Sequence, residues 1–146
     1  MSEPNLQLVE TKDGSQTILN QALGSTYHSR HGALTESQHV FIAKGLRKQV
    51  ENGLTDISLL EMGFGTGLNA LLSARFSENH KININYHGLE LFPVPTEVWS
   101  QYRLPNGLTK ERALFEKMHN ANWGEEKEIL ERFLLTKHQV SLLDFQ

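Results

Sequence analysis

The chain has 146 residues, 38% hydrophobic and 21% charged, with a net charge of −3 and no cysteine. That length suits one domain with a real core, and the missing thiols exclude disulfides, thiolate zinc sites and a cysteine nucleophile within the chain. The negative balance argues against this segment gripping a nucleic-acid backbone by itself. No apolar run approaches the roughly 18 residues of a membrane span, and no signal-peptide pattern precedes Asn5, so a cytoplasmic location off the membrane is expected.

In chain order, residues 5–19 read as a β-hairpin, because Asp13-Gly14 is a two-residue turn signal between short runs of Leu, Val, Thr and Ile. It is expected to serve as a structural lid. Tyr27-His28-Ser29-Arg30-His31-Gly32-Ala33 follows as a polar and aromatic loop, and Tyr27, His28 and Ser29 are candidates for the mouth of a ligand pocket. Thr35 is placed to N-cap a helix with Glu36 in its first turn, Val40, Phe41, Ile42 and Leu46 on its buried face, and Asn52-Gly53 at its end. His28, His31 and His39 match no metal-ligand spacing and have no cysteine to complete a shell, so no metal is expected.

Ile57, Leu59 and Leu60 supply the apolar run of a strand covered on both faces. Gly63, Gly65 and Gly67 then let the backbone turn sharply and approach a ligand with no Cβ in the way. Leu68–Phe76 reads as a helix whose N-terminus points back into that turn, an arrangement suited to a nucleotide-type ligand. A dinucleotide fingerprint would read G-x-G-x-x-G. Here the pattern is E-x-G-x-G-x-G, led by Glu61. A carboxylate at the strand end repels a pyrophosphate and welcomes a cationic centre, such as the sulfonium and ammonium of S-adenosylmethionine. The pattern resembles motif I of the class I methyltransferases.

Ile82 to Leu91 reads as a second strand ending in Glu90, near the offset at which an acid binds ribose hydroxyls in doubly wound folds. Pro95 opens a helix over Thr96–Tyr102, and Leu108–Met118 and Glu125–Phe133 are expected to be surface helices. Trp99 and Trp123 are read as packing residues rather than stacking platforms. Phe133–Thr136 and Val140–Phe145 look like strand material, which would make Asp144 a third strand-end acid, placed to contact an adenine amino group.

Taken together, Asp13-Gly14-Ser15-Gln16-Thr17, Tyr27-His28-Ser29, Gly32-Ala33, Glu36, His39-Val40-Phe41-Ile42, Gly45-Leu46 and Leu60-Glu61-Met62-Gly63-Phe64-Gly65-Thr66-Gly67-Leu68-Asn69 resemble the methyltransferase domain of the MnmC-like family. The resemblance is best over residues 11–90. It implies a class I methyltransferase (Rossmann-like) α/β fold with a parallel sheet, incomplete here and preceded by an N-terminal β-hairpin. It also implies S-adenosylmethionine as cofactor, bound by Glu61, Gly63, Phe64, Gly65, Thr66, Gly67, Asn69, Glu90, Asp144, Tyr27 and Ser29. The implied activity is methylation of the 5-aminomethyl group of tRNA wobble 2-thiouridine, with a flavin-dependent oxidase as fused or separate partner. Residues 1–50 would form the hairpin and first helix and residues 51–146 the cofactor-binding part, within a single domain.

The Asp-Ala-Phe-Ala-Pro type strand of that family, which sits beside the acceptor amine, has no counterpart before Gln146. The chain is therefore expected to be an N-terminal portion with about three parallel strands and most of the tRNA surface outside it. No catalytic residue is assigned. Two other readings stay open. One is an aminopropyltransferase of the spermidine-synthase type, which shares the hairpin, the Tyr-His pair and a glycine-rich turn. The other is a cofactor-binding fragment without activity.

Overall fold

Asp13-Gly14 turns the chain between β1 (Leu6–Glu10) and β2 (Gln16–Asn20), which pair antiparallel from Leu6–Asn20 to Glu10–Gln16. A short β3 (Ser25–Thr26) adds to β2 and makes a three-stranded sheet. The structure, a computed structural model, describes residues 5–146.

The turn does more than reverse the chain. One Asp13 carboxylate oxygen accepts from Thr11 and Ser15, and the other accepts from the amide and hydroxyl of Thr35 at 3.0 and 2.9 Å. Burial alone would raise this carboxyl, but the bonds from Ser15, Thr35 and Thr11 outweigh it and hold it well below the usual carboxylate range. A Cβ on Gly32 would overlap the same carboxylate, which is why the close approach needs glycine. Thr11 Oγ1 also accepts from the Ala33 amide and Ser15 Oγ from the Leu34 amide.

The first helical turn is thus capped by hairpin side chains some twenty residues upstream. Thr35, the N-cap expected from local sequence, does not hold that position; Gly32 does. The helix starts at Ala33 (α1, Ala33–Glu36), and the Thr35 amide is one of the capped donors. It continues as a π-helical stretch, Ser37–Leu46, and ends as α2 (Arg47–Glu51). Leu54 N–H bonds Gln49 O and Gly53 N–H bonds Val50 O, with Gly53 at φ 90, so the expected stop forms by the usual glycine C-terminal motif. Ile42 and Leu46 are buried as expected, but Val40 is 59% exposed because the wider π-helical turn carries it off the buried face.

The second sheet has the order β4 (Asp56–Met62), β5 (Asn83–Leu89), β7 (Phe133–His138), β6 (Glu126–Leu130). The three strands β4, β5 and β7 are parallel, and β6 runs antiparallel on the outer edge. This matches the expected α/β architecture. The stretch from Glu125 to Phe133 is therefore a strand and turn rather than a helix. Its Glu and Lys favour helix locally, but pairing with β7 wins, and charges suit an exposed edge. Val140–Phe145 forms no strand; Ser141–Asp144 is a turn.

Parallel register sorts the side chains into rows. Ile57, Ile84 and Phe133 form one, Leu59, Tyr86 and Leu135 the next, and Glu61, Gly88 and Lys137 the last. This face packs with α3 (Leu68–His80) and α5 (Arg112–Asn120), through Leu68, Leu71, Phe115 and Met118. A short α4 (Thr96–Trp99) and a 3₁₀ turn at Thr109–Glu111 lead into α5, shorter than the two expected helices. The opposite face carries Leu60 and Met62, exposed by 45% and 67%. The strand before the glycine turn is therefore covered on one face only among the described residues, and β4 lies at the sheet edge. No helix of the described residues is long and apolar enough to cross a membrane.

Candidate functional site

The glycine turn joins the end of β4 to the start of α3. Gly63, Gly65 and Gly67 lie at φ 84, 54 and 80, the left-handed region that costs other residues roughly 1–2 kcal/mol each. Gly63 and Phe64 donate their amides to Leu89 O at 2.8 and 2.9 Å, so the turn is pinned to the end of β5. The Phe64 ring folds over Gly88, where a Cβ would stand 2.7 Å from the ring. A Cβ on Gly65 would meet the Tyr27 ring at 3.0 Å, so the hairpin's tail closes directly on the turn.

A cavity of about 550 Å³ opens beside it, within the range of small-molecule sites. Of the residues singled out by sequence, Glu61, Gly63, Phe64, Gly65, Asn69, Glu90, Tyr27 and His28 line it. The structure adds Asn20, Glu36, Phe41 and Phe92. The hairpin is thus more than a lid, since the strand end Asn20 is part of the wall. Thr66 and Gly67 are buried behind the cavity and shape the turn without lining it. Ser29 sits at its margin, where its amide donates to Glu36 Oε2 at 3.0 Å. Asp144 is exposed, accepts from Ser141 Oγ at 2.6 Å, and does not reach the cavity. Its expected place at a strand end fails because no strand forms there.

The electrostatics are one-sided. The lining holds Glu36, Glu61 and Glu90 and, among the described residues, no lysine or arginine. Glu61 is 7% exposed; its Oε2 accepts from Asn69 Nδ2 at 2.8 Å, and the buried Tyr86 hydroxyl lies beside the same carboxyl. Burial pushes its carboxyl up to about 8, and the nearby Glu90 charge adds to the rise. Glu90 accepts from the Gly65 amide at 3.1 Å and the Phe92 amide at 3.2 Å. Burial lifts it too, despite these bonds. Burial and the Glu90 charge raise the Tyr27 hydroxyl to about 12. Such a cavity disfavours a pyrophosphate and leaves unsatisfied acceptors for a cation or a diol.

A second cleft of about 500 Å³ runs between the π-helical stretch and β4, lined by Phe41, Leu46, Leu54 and Ile57 among others. It holds no buried titratable group, so the cavity at the glycine turn is the candidate site. Among the described residues no group of three or more metal-binding side chains occurs.

Two residues that sequence reading passed over support the turn from behind. His119 of α5 reaches the Thr66 carbonyl at 2.7 Å, and Lys137 Nζ donates to His119 O at 2.7 Å. Neither carries a local motif; only the fold brings them to the turn.

No protein-family model matches the chain. Among curated proteins it is similar to the tRNA 5-methylaminomethyl-2-thiouridine biosynthesis bifunctional protein MnmC of Pseudomonas aeruginosa, 35% identical over 82 residues, covering 52% of this chain and 12% of that protein. The protein of the same name from Burkholderia mallei is 35% identical over 96 residues, covering 62% and 14%. Among solved structures, MnmC2 from Aquifex aeolicus superposes with a TM-score of 0.71 at 26% identity, covering 93% of this chain and 42% of that one. The chain therefore spans less than half of the solved relative and about an eighth of the curated ones. In sequence and in fold, the chain is similar to an MnmC-like methyltransferase domain.

Proposed function

We propose that the cavity at the glycine turn binds S-adenosylmethionine and that the domain serves methyl transfer to an amine, the 5-aminomethyl group of tRNA wobble 2-thiouridine. The observation that carries this reading is the pair Glu61 and Glu90, at the ends of neighbouring parallel strands beside the glycine turn, in a cavity lined by no lysine or arginine among the described residues. The buried Glu61 carboxyl and the open space beside the Gly63 backbone fit a ligand that brings a positive charge and a nucleoside. When bound, S-adenosylmethionine supplies a methyl group on a positively charged sulfur, open to a neutral amine nitrogen.

This chain's residues would hold and orient. Glu90 has the acceptors for two ribose hydroxyls, a task for which its bond to the Gly65 amide already orients it. Glu61 would offset the ligand's positive charge. Gly63, Phe64, Gly65 and Asn69 would form the cradle, and Tyr27 would close it. Residues 1–50 and 51–146 act as one domain in this reading, supported by Tyr102 Oη donating to Gln16 O at 3.1 Å and by the Tyr27–Gly65 contact. A cytoplasmic location, tRNA as substrate and an oxidase partner follow from the MnmC likeness and belong to the proposal.

Thermal unfolding with S-adenosylhomocysteine tests it. At a hundredfold excess over Kd the ligand adds about 2.7 kcal/mol, which for a chain this size raises Tm by roughly 5–10 °C. No shift with this ligand, alongside a shift with NAD, refutes the cofactor assignment. Comparing S-adenosylmethionine with its decarboxylated form by calorimetry separates methyl from aminopropyl transfer.

A further inference from the structure

We infer that His119 is a positioning residue for the glycine turn, holding the Thr66 peptide from behind so that the turn keeps its ligand-ready shape. The inference rests on the cofactor reading above and extends it to a residue outside the cavity. Its first basis is the 2.7 Å contact between His119 Nε2 and Thr66 O. A carbonyl only accepts, so Nε2 carries the hydrogen and donates. Thr66 lies between Gly65 and Gly67, both in the left-handed region, where the backbone has the most freedom and the least intrinsic preference.

The second basis is packing. His119 stacks on Trp99 with centroids 4.7 Å apart and planes at 15°, and packs against Phe115 at 4.5 Å and edge-on to Phe64 at 5.7 Å. A Cβ on Gly67 would stand 3.1 Å from Nε2, so the imidazole fills the space left by that glycine. The third basis is the anchor. Lys137, 1% exposed, donates to the His119 carbonyl at 2.7 Å, with Nζ 4.7 Å from the Trp123 ring centroid and 5.8 Å from that of Phe64. A cation at a helix C-terminus is favourably placed, and here it fixes the last turn of α5, the turn that carries His119.

The imidazole is also kept neutral. Burial lowers it to about 4, and the Lys137 and Arg112 charges act in the same direction against the Thr66 bond. Glu116 lies on the same helix, but Arg112 holds it at 2.9 Å. Glu61 shares the sheet row of Lys137, with Gly88 and the overlying Phe64 between them. A neutral ring with one N–H gives the Thr66 carbonyl a donor throughout the physiological pH range.

The test uses the 146-residue chain and two variants. His119→Phe keeps a stacking ring and removes the donor; His119→Gln restores a donor. S-adenosylhomocysteine affinity is expected to fall roughly three- to tenfold in His119→Phe, the worth of about one hydrogen bond, and to recover in His119→Gln. Amide hydrogen exchange at Gly65 and Gly67 is expected to quicken in His119→Phe and return to normal in His119→Gln. A role in stability alone would lower Tm in both variants and leave affinity unchanged, which overturns the inference. If the unmodified protein binds no S-adenosylhomocysteine, the cofactor reading fails by itself. The exchange of the Gly65 and Gly67 amides then decides the positioning role, and equal rates in all three proteins overturn it.

Discussion

Replacing Glu61 with glutamine tests the electrostatics of the site without needing a ligand. In the folded protein the Glu61 carboxyl is lifted from its ordinary 4.5 to about 8, mainly by burial. The folded state therefore holds a proton over this interval that the unfolded state gives up. Stability is full below about pH 4.5 and is lost as pH rises toward 8. At 1.36 kcal/mol per pKa unit the loss approaches about 5 kcal/mol as a ceiling. Glutamine has the same shape, keeps an acceptor for Asn69 Nδ2, and carries no charge at any pH. Glu61→Gln is expected to match the parent protein within about 1 kcal/mol at pH 5 and to exceed it by several kcal/mol at pH 9. At roughly 2–4 °C per kcal/mol, the Tm difference at high pH reaches about 10 °C. Urea unfolding in steps from pH 5 to 9 measures it. Glu90 is present in both proteins, so the difference holds Glu61 and its coupling to Glu90. A difference that stays flat over this range means Glu61 titrates normally and refutes the burial-driven rise of its carboxyl.

Further outcomes follow from the same geometry. Because a cationic ligand favours ionised Glu61, S-adenosylmethionine binding at pH 7 should release close to one proton from the parent protein and far less from Glu61→Gln; calorimetry in two buffers of different ionisation enthalpy reads this, and equal release counts against a direct role for Glu61. Gly65→Ala combines φ 54 with a Cβ 3.0 Å from the Tyr27 ring, so a loss of roughly 1–3 kcal/mol and weaker cofactor binding are expected. A fully stable, fully binding alanine variant would show that the turn is not held in this shape. Asp13→Ala removes the acceptor that ties the hairpin to the first helical turn and should cost about 2–3 kcal/mol, seen as lower urea resistance and as faster exchange of the Thr35 amide. Protection unchanged at Thr35 would mean the cap is supplied elsewhere.

Much of the site was legible because local chemistry and tertiary need agree there. Three alternating glycines after an apolar run have few uses besides a tight strand-to-helix turn, and the structure places all three at positive φ. Glu61 and Glu90, read as strand-end acids, end adjacent parallel strands and share one cavity. The MnmC-like resemblance rested on the same residues, and the comparisons support it. Asp144 does not stand at a strand end as Glu90 does, because no strand forms over Val140–Phe145. Among the described residues the apolar run before Asp144 finds no pairing partner, and the chain turns at Ser141–Asp144 instead.

Sequence alone determined the class of fold, the hairpin turn, the glycine cradle and the two acids beside it. Each depends on backbone permissiveness, periodicity or a charge at a strand end, properties that act over a few residues. Tertiary structure decided the rest. It made residues 126–130 an edge strand, because pairing with β7 outweighs the helix preference of Glu and Lys. It moved the N-cap from Thr35 to Gly32, because the capping oxygens come from Thr11, Asp13 and Ser15. It left β4 covered on one face among the described residues, and it brought His119 and Lys137 behind the turn. Contacts between residues 18 to 53 positions apart, as in those last two bonds, leave no periodic trace in a single sequence; they exist only once the core has packed.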